Sequence, residues 1–181
     1  IVSELLSRDD IDINATSTNE KLTPLHIASK NGFTDIVNIL LSDDRCNPNA
    51  TSKNGTNILT FACQSHNLDL LKKIMSDFSY LINNTAINGD NLLHYACRSN
   101  DISIFKVLLE TADKSTFDIN DKNLNGETLL HIAVLFDVPE YLYRRKRSKI
   151  FFKSTNDNED DDYEYINDYK TKTILGLLIS H

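Results

Sequence analysis

Apolar residues recur along the chain in two sets that alternate with polar stretches. The first set forms short segments that read TPLHIA, NILTFA, NLLHYA and TLLHIA, and these end at Ala28, Ala62, Ala96 and Ala133. Successive alanines are therefore 34, 34 and 37 residues apart. A period sustained over several units is the signature of a repeat protein, in which one unit cannot bury its own apolar face and must stack on its neighbours.

A second apolar set follows each alanine and predicts a second helix. Its members have the spacing i, i+1, i+4, i+5, which is typical of one buried helix face. They are Ile36, Val37, Leu40, Leu41, then Leu70, Leu71, Ile74, Met75, then Ile104, Phe105, Leu108, Leu109. Ile1, Val2, Leu5 and Leu6 repeat the pattern, so the chain is predicted to open on the second helix of a partial unit.

Turn-forming residues separate these segments at fixed positions. An Asn precedes each alanine by thirteen residues from the second unit on, and a Gly follows that Asn six residues later. They are Asn49, Asn83 and Asn120, with Gly55, Gly89 and Gly126. Gly supplies the positive φ of a tight turn, and Asn tolerates it. After the first helix of each unit the chain has Gly32, His66, Asn100 or Asp137. We expect left-handed backbone at these positions.

The pattern resembles the ankyrin repeat family, whose signature is a TPLH-x-A helix start with a period of about 33 residues. The resemblance covers about residues 1–143 well and residues 166–181 weakly. It implies an all-α fold, an open solenoid of stacked helix-turn-helix units with hairpin turns. We therefore predict a single domain over residues 1–181. Its units are a partial repeat at 1–13, repeats at 14–48, 49–82, 83–119 and 120–165, and a partial repeat at 166–181.

The fourth unit departs most from this pattern. Its second helix should run from Pro139 through Leu142, but Arg145 and Lys146 stand where the paired leucines belong. A charged insert follows at residues 144–165, in which basic residues precede the apolar triplet 150–152 and then an acidic run. We expect the triplet to dock near the fourth unit. In the alternative it extends the second helix and packs against the fifth unit.

Composition narrows the function class. The net charge of −7 argues against a general affinity for nucleic acid or anionic lipid. Three Cys, none in a C-x-x-C pair, indicate neither a disulfide framework nor a zinc site and favour a reducing compartment. We expect a cytoplasmic protein, or a nuclear one if the basic cluster at 144–149 is a localisation signal and not a helix C-terminus. No membrane-spanning stretch or signal peptide is evident, and the opening Ile predicts a piece of a longer protein.

The most tempting chemical set is His26, His94 and His131, which occupy one position in three units. Packed helices lie about 8–10 Å apart, whereas a metal ligand lies about 2 Å from its ion, so these rings cannot share a metal. We expect each imidazole to bond backbone near its own turn. Cys63 and Cys97 are likewise one unit apart, beyond the roughly 7 Å reach of a disulfide. With no catalytic motif evident either, we predict a non-enzyme without cofactor or metal.

By the resemblance, partners bind on the concave side, along the turn tips and the first helices. The predicted partner-binding residues are Lys53, Ile87 and Leu124 on the tips, with Lys30, Gln64, Arg98, Leu135 and Phe136 on the first helices. Two exposed apolar tips would be unusual without a partner, unless they pack on their own turns. The groove should change from polar to apolar along the stack.

We therefore predict a scaffold that binds another protein and no small-molecule substrate. Its alternative role is that of a substrate-recognition or autoinhibitory module of a larger enzyme or channel.

Two modification sites are also candidates. Leu6, Asp12, Ile13 and Asn14 resemble the pattern that asparaginyl hydroxylases accept in ankyrin repeats, so Asn14 is a candidate for hydroxylation. Its alternative role is to shape its turn. Ser154, followed three residues later by Asp157, resembles a site for an acidic-directed kinase.

Overall fold

The computed structural model describes residues 1–111, 117–136 and 178, and these residues form helices joined by turns, with no strand among them. The helices are α1 Val2–Leu6, α2 Pro24–Lys30, α3 Thr34–Leu41, α4 Ile58–Cys63, α5 Leu68–Asp77, α6 Leu92–Ser99, α7 Ile102–Thr111 and α8 Leu129–Phe136. A 3-10 turn, Ser79–Asn83, follows α5. The all-α prediction is confirmed. None of the described helices is both long and apolar enough to cross a membrane.

The helices pair and stack as the repeat pattern predicts. Helix α2 packs on α3, α4 on α5, and α6 on α7. The first helices form one layer in which α2 contacts α4, α4 contacts α6, and α6 contacts α8. Helix α1 packs on α3 as the second helix of a partial unit. The predicted second helix of the fourth unit, the triplet 150–152, Ser154 and the basic cluster 144–149 lie outside the described residues.

The core runs between these helices, and the repeated alanines lie at its centre. Ala28, Ala62, Ala96 and Ala133 are all buried, as their position in the repeat predicts. The second helices contribute the remaining apolar face. Its buried members are Val37 and Leu40, then Leu70, Leu71 and Ile74, then Ile104, Phe105 and Leu108. The other predicted members, Ile36, Leu41, Met75 and Leu109, are half-buried and pack against this core.

Helices α2, α4 and α6 each begin at a side chain that caps them. The backbone N–H of His26 donates to Thr23 Oγ1 at 3.3 Å, and that of His94 donates to Asn91 Oδ1 at 3.1 Å. A second bond runs the other way in each pair. The Nδ1 atoms of His26 and His94 accept from the backbone N–H of Thr23 (3.1 Å) and Asn91 (3.3 Å), respectively. This is the reciprocal arrangement of a capping box. The predicted bond between each of these two imidazoles and its own turn is confirmed.

The ends of the first helices also follow the prediction. Gly32, His66 and Asn100 have φ of +70°, +55° and +54°, which is the left-handed region. Gly adopts it without strain, and Asn and His do so more readily than most residues. Asp137, the fourth residue of this set, lies outside the described residues. A left-handed residue at this point turns the chain directly into the second helix.

Asn14 joins the start of the first full repeat to the end of the same repeat. Its Nδ2 donates to the carbonyl of Arg45 at 2.7 Å, and its Oδ1 accepts from the backbone N–H of Asn47 at 2.8 Å. Its own backbone N–H donates to Asp12 Oδ1 at 3.0 Å, which closes an Asx turn. The turn-shaping role is therefore present in the structure, together with a bridge across the repeat 14–48. Hydroxylation of Asn14 stays a prediction.

We predict that Ala96→Leu destabilises the stack by about 1–3 kcal/mol, because the larger side chain overpacks a fully buried site. The measurement is the free energy of unfolding from denaturant titration. Ala15→Leu is the matched control, since Ala15 is exposed in the turn before α2. An unchanged denaturant midpoint for Ala96→Leu would contradict the packing described here.

A second prediction concerns pH. Burial lowers the pKa of His26, although a hydrogen bond to the Ala50 carbonyl partly opposes this. Below about pH 6.5, the ordinary pKa of His, the unfolded chain therefore binds more protons at this site than the folded chain. The free energy of unfolding should fall as the pH drops below that value, until the folded-state pKa is reached.

His26→Thr should reduce this fall, because Thr60 already occupies the equivalent buried position in the second unit and does not titrate. The comparison is the slope of unfolding free energy against pH between about pH 7 and pH 5, a range that includes the ordinary pKa of His. If wild type and His26→Thr have equal slopes, the lowered pKa is not a property of the folded chain.

Candidate functional site

The turn tips of successive units form a hydrogen-bonded ladder. The backbone N–H of Lys53 donates to the carbonyl of Glu20 at 2.8 Å, and that of Ile87 donates to Asn54 at 2.9 Å. Leu124 continues the series with a bond of 2.9 Å to Asn88. The three predicted tip residues are thus equivalent in the structure as well as in the repeat. Each is held at the backbone by the tip before it.

The two apolar tip side chains are exposed. Ile87 is 69% exposed and Leu124 is 78% exposed, so neither is buried on its own turn. Each lies instead over a glycine of the preceding turn. A Cβ added at Gly55 would lie 3.5 Å from Ile87 Cγ1, and one added at Gly89 would lie 2.9 Å from the Leu124 backbone nitrogen. The glycines therefore give the apolar tips room to stack closely.

The first helices line an open groove beside these tips. A cleft of about 220 Å³ lies between the first three units, and its walls include Glu20, Lys30, Asn54, Gln64 and Tyr95. Burial, and next the nearby Asp90 carboxylate, raise the pKa of the Tyr95 hydroxyl. The phenol therefore stays protonated at neutral pH and offers a hydrogen-bond donor. Among the predicted residues, Lys30 and Gln64 border this polar part of the groove.

Arg98 is largely engaged within the chain. Its guanidinium lies 3.0 Å from the carboxylate of Asp90 and 3.6 Å from that of Glu127. It also lies 5.9 Å from the ring centroid of Phe136, in a cation-π geometry. Asp90 is almost fully buried, and a buried carboxylate needs such a partner. Arg98 therefore secures the groove between the third and fourth units, and less of its charge is left for a partner.

Asn123 completes this polar network. Its Nδ2 donates to Asp90 Oδ1 and to Glu127 Oε2, both at 2.8 Å. The bond from Asn123 is the main cause that holds the pKa of Glu127 below its ordinary value, and Asn125 and Arg98 act in the same direction. Sequence reasoning missed Asp90, Asn123 and Glu127. A signal was present, since the position before the helix cap holds Leu22 and Thr56 in earlier units but turns acidic at Asp90 and Glu127.

The fourth unit ends the groove with an apolar surface. Leu135 and Phe136 are both exposed on α8, at or next to the position that Lys30, Gln64 and Arg98 hold in earlier units. The stripe of first-helix residues thus changes from charged and polar to apolar along the stack. All eight predicted partner-binding residues lie among the described residues, on tips, on first helices or, for Gln64, directly after one.

The His and Cys residues that were candidates for metal binding or catalysis are not grouped or activated for either role in the described part of the chain. Among residues 1–111 and 117–136, no three His, Cys, Asp or Glu side chains lie close enough together to hold a metal ion. Cys46, Cys63 and Cys97 are not joined in a disulfide. Full burial raises the pKa of the Cys63 thiol, and partial burial with the nearby Asp43 raises that of Cys46. Neither thiol is activated as a nucleophile, because the thiolate is the reactive form.

Comparison with known proteins agrees with this architecture. A family model described as ankyrin repeats (three copies) matches residues 1–80 and 67–151. A search of curated proteins found no match. The family matches span most of the chain and cover the partial unit as well as the units that contain the tips and the groove. The chain belongs to the ankyrin repeat family.

Proposed function

We propose that the chain is a scaffold that binds a protein partner through the turn tips and concave groove of its second to fourth units. Ankyrin repeats are generally protein–protein interaction modules and typically non-enzymatic, which supports this class of function. The observation that carries the proposal is the pair Ile87 and Leu124. Both are large apolar side chains, mostly exposed, on neighbouring tips.

The rigidity of these tips favours binding. The backbone N–H of each apolar tip residue is bonded to the preceding tip, and its side chain lies over a glycine. Ordering flexible groups is one of the costs of association, so a surface that is already ordered retains more of its interaction energy. Full burial of an Ile or Leu side chain contributes about 1.5–3 kcal/mol. Two such side chains would form an effective anchor for a partner.

The groove suggests what the partner presents. Lys30 is exposed at the first full unit and can pair with an acidic or hydrogen-bonding group, whereas Leu135 and Phe136 at the fourth unit favour an apolar segment. Because Arg98 is already paired with Asp90 and Glu127, we assign it the role of maintaining the groove between these two ends. We therefore propose a partner segment that is polar at one end and apolar at the other.

The open form of the groove favours a protein over a small molecule. Small-molecule sites are concave and bury most of the ligand's surface. The cleft beside the tips is open, and charged and polar side chains such as Glu20, Lys30 and Gln64 line much of it. An extended protein segment can cover such a surface and also reach the tips on one side of it.

The test is a capture experiment with variant pairs. Proteins retained from lysate by the wild-type chain are identified by mass spectrometry, and their affinities are compared among variants. Ile87→Asp combined with Leu124→Asp should weaken the specific partner by roughly tenfold or more, since interface anchors typically cost 1 kcal/mol or more each when lost.

Tyr80→Asp is the matched control, because Tyr80 is an exposed aromatic residue in the 3-10 turn after α5, outside the tips and first helices. It should leave the affinity unchanged. If the double variant binds as tightly as wild type, or if Tyr80→Asp weakens binding equally, the proposed surface is not the binding site.

A further inference from the structure

Two apolar side chains of α8 are exposed at positions that earlier units bury. Leu130 and Val134 are 47% and 50% exposed. The equivalent positions in the three preceding units are nearly or completely buried: Leu25, Leu59 and Leu93 for the first, and Ser29, Cys63 and Cys97 for the second. Since the residue types are similarly small or apolar, the difference lies in what covers them.

In the earlier units this cover is the first helix of the following unit. Helix α4 packs on α2, α6 on α4, and α8 on α6. The ring of Phe61 in α4 lies 5.1 Å from that of His26 in α2, and Cys97 Sγ in α6 donates to the carbonyl of Leu129 in α8 at 3.6 Å. Leu130 and Val134 therefore occupy positions where a further first helix would pack.

Among the described residues, His131 also lacks the bond to a following unit that its equivalents make. In His26 and His94, Nδ1 accepts from the cap of their own helix, so Nε2 carries the proton and donates to a carbonyl of the next unit. These acceptors are Ala50 at 3.0 Å and Glu127 at 3.3 Å. His131 Nδ1 accepts from the backbone N–H of Thr128 at 3.3 Å, but its Nε2 has no partner in the described part of the chain.

The chain itself contains a segment whose sequence fits a first helix at this exposed face of α8. Residues 173–178 read TILGLL, which places Thr173 at the cap position of the repeat and Leu175 at the position of Leu25. Leu178 is helical, half-buried and packed against the core. Leu178 follows Ala133 by 45 residues. This exceeds the spacing of 34 residues between earlier alanines by about the length of a short insert.

We propose that residues 173–179 dock on the open face of α8, formed by Leu130, His131 and Val134, as the first helix of a fifth unit. This face lines a cleft of about 440 Å³ that also includes Glu127 and Leu135. The docking continues the interface that already joins α2, α4, α6 and α8. His131 Nε2 then donates to a carbonyl of the turn before the docked helix, as its equivalents do.

The proposal divides the exposed apolar surface of α8 between two roles. Leu130 and Val134 form an internal stacking face, Leu135 lies at the edge of the cleft that the docked helix fills, and Phe136 remains on the groove side for a partner. The alternatives to residues 173–179 as the occupant of the stacking face are the apolar triplet 150–152 and a second copy of the chain. Each of these predicts a different result in the experiment below.

The experiment is hydrogen exchange on the whole chain, with three variants. In wild type, amides of residues 173–179 should exchange roughly tenfold or more slowly than in an unstructured peptide, as expected for packed helix. Leu130→Asp should remove this protection. Leu124→Asp, the same change at an exposed leucine on a tip, should preserve it. Amides of α4 should stay protected in both, which shows that the stack remains folded.

Val134→Asp gives a second probe of the same face and should reproduce the effect of Leu130→Asp. Intrinsic exchange rates at 173–179 in wild type would overturn the proposal. So would a Leu130→Asp variant in which protection is lost at 150–152 and retained at 173–179, because the triplet would then be the occupant. Protection that disappears on dilution, together with a dimer in sedimentation, would assign the face to a second copy and overturn it as well.

Discussion

The stack is built around one small, buried side chain that recurs in every unit. Ala28, Ala62, Ala96 and Ala133 are all buried in the core between the helices, and no larger side chain takes this position in any of the four units. Because the helices approach closely, neighbouring leucines on both sides become buried, and the caps of one unit reach carbonyls of the next. The regular spacing of these alanines along the sequence reflects this stacking.

The surface features follow from the same stacking. When units repeat at a fixed distance, their turn tips also come within hydrogen-bonding distance, and the N–H of Lys53, Ile87 and Leu124 each find a carbonyl on the preceding tip. Because these hydrogen bonds fix the backbone of each tip, the apolar side chains there stay exposed to solvent and the turn does not fold over them. The candidate binding surface is therefore a consequence of the stack, and its residue types are what distinguish this chain.

Features that reside within one unit could be predicted from sequence. The helix faces, the buried alanines and the left-handed backbone at His66 and Asn100 all follow from local pattern and residue chemistry. The place of Ile87 and Leu124 on the tips also followed from the pattern, but whether they are exposed or pack on their own turns was left open, and the structure has them exposed. The family was visible for the same reason, since its signature is local and repeated.

Features that join units could not be predicted in the same way. The bond from the backbone N–H of Leu124 to Asn88, and the packing of Leu124 over Gly89, depend on how one unit is rotated against the next. A single unit's pattern does not specify that rotation. The pairing of Arg98 with Asp90 was more accessible, because the position of Asp90 first turns acidic in the third unit, where Arg98 is basic.

Neighbouring units hold one another in register, and amide hydrogen exchange at the tips tests this most directly. The N–H groups of Ile87 and Leu124 donate across units, whereas that of Asn88, on the same tip as Ile87, has no partner within the described chain. Stacking predicts that the Ile87 and Leu124 amides exchange at least roughly tenfold more slowly than the Asn88 amide, although their side chains are exposed. Exchange at Ile87 and Leu124 as fast as at Asn88 would contradict the account.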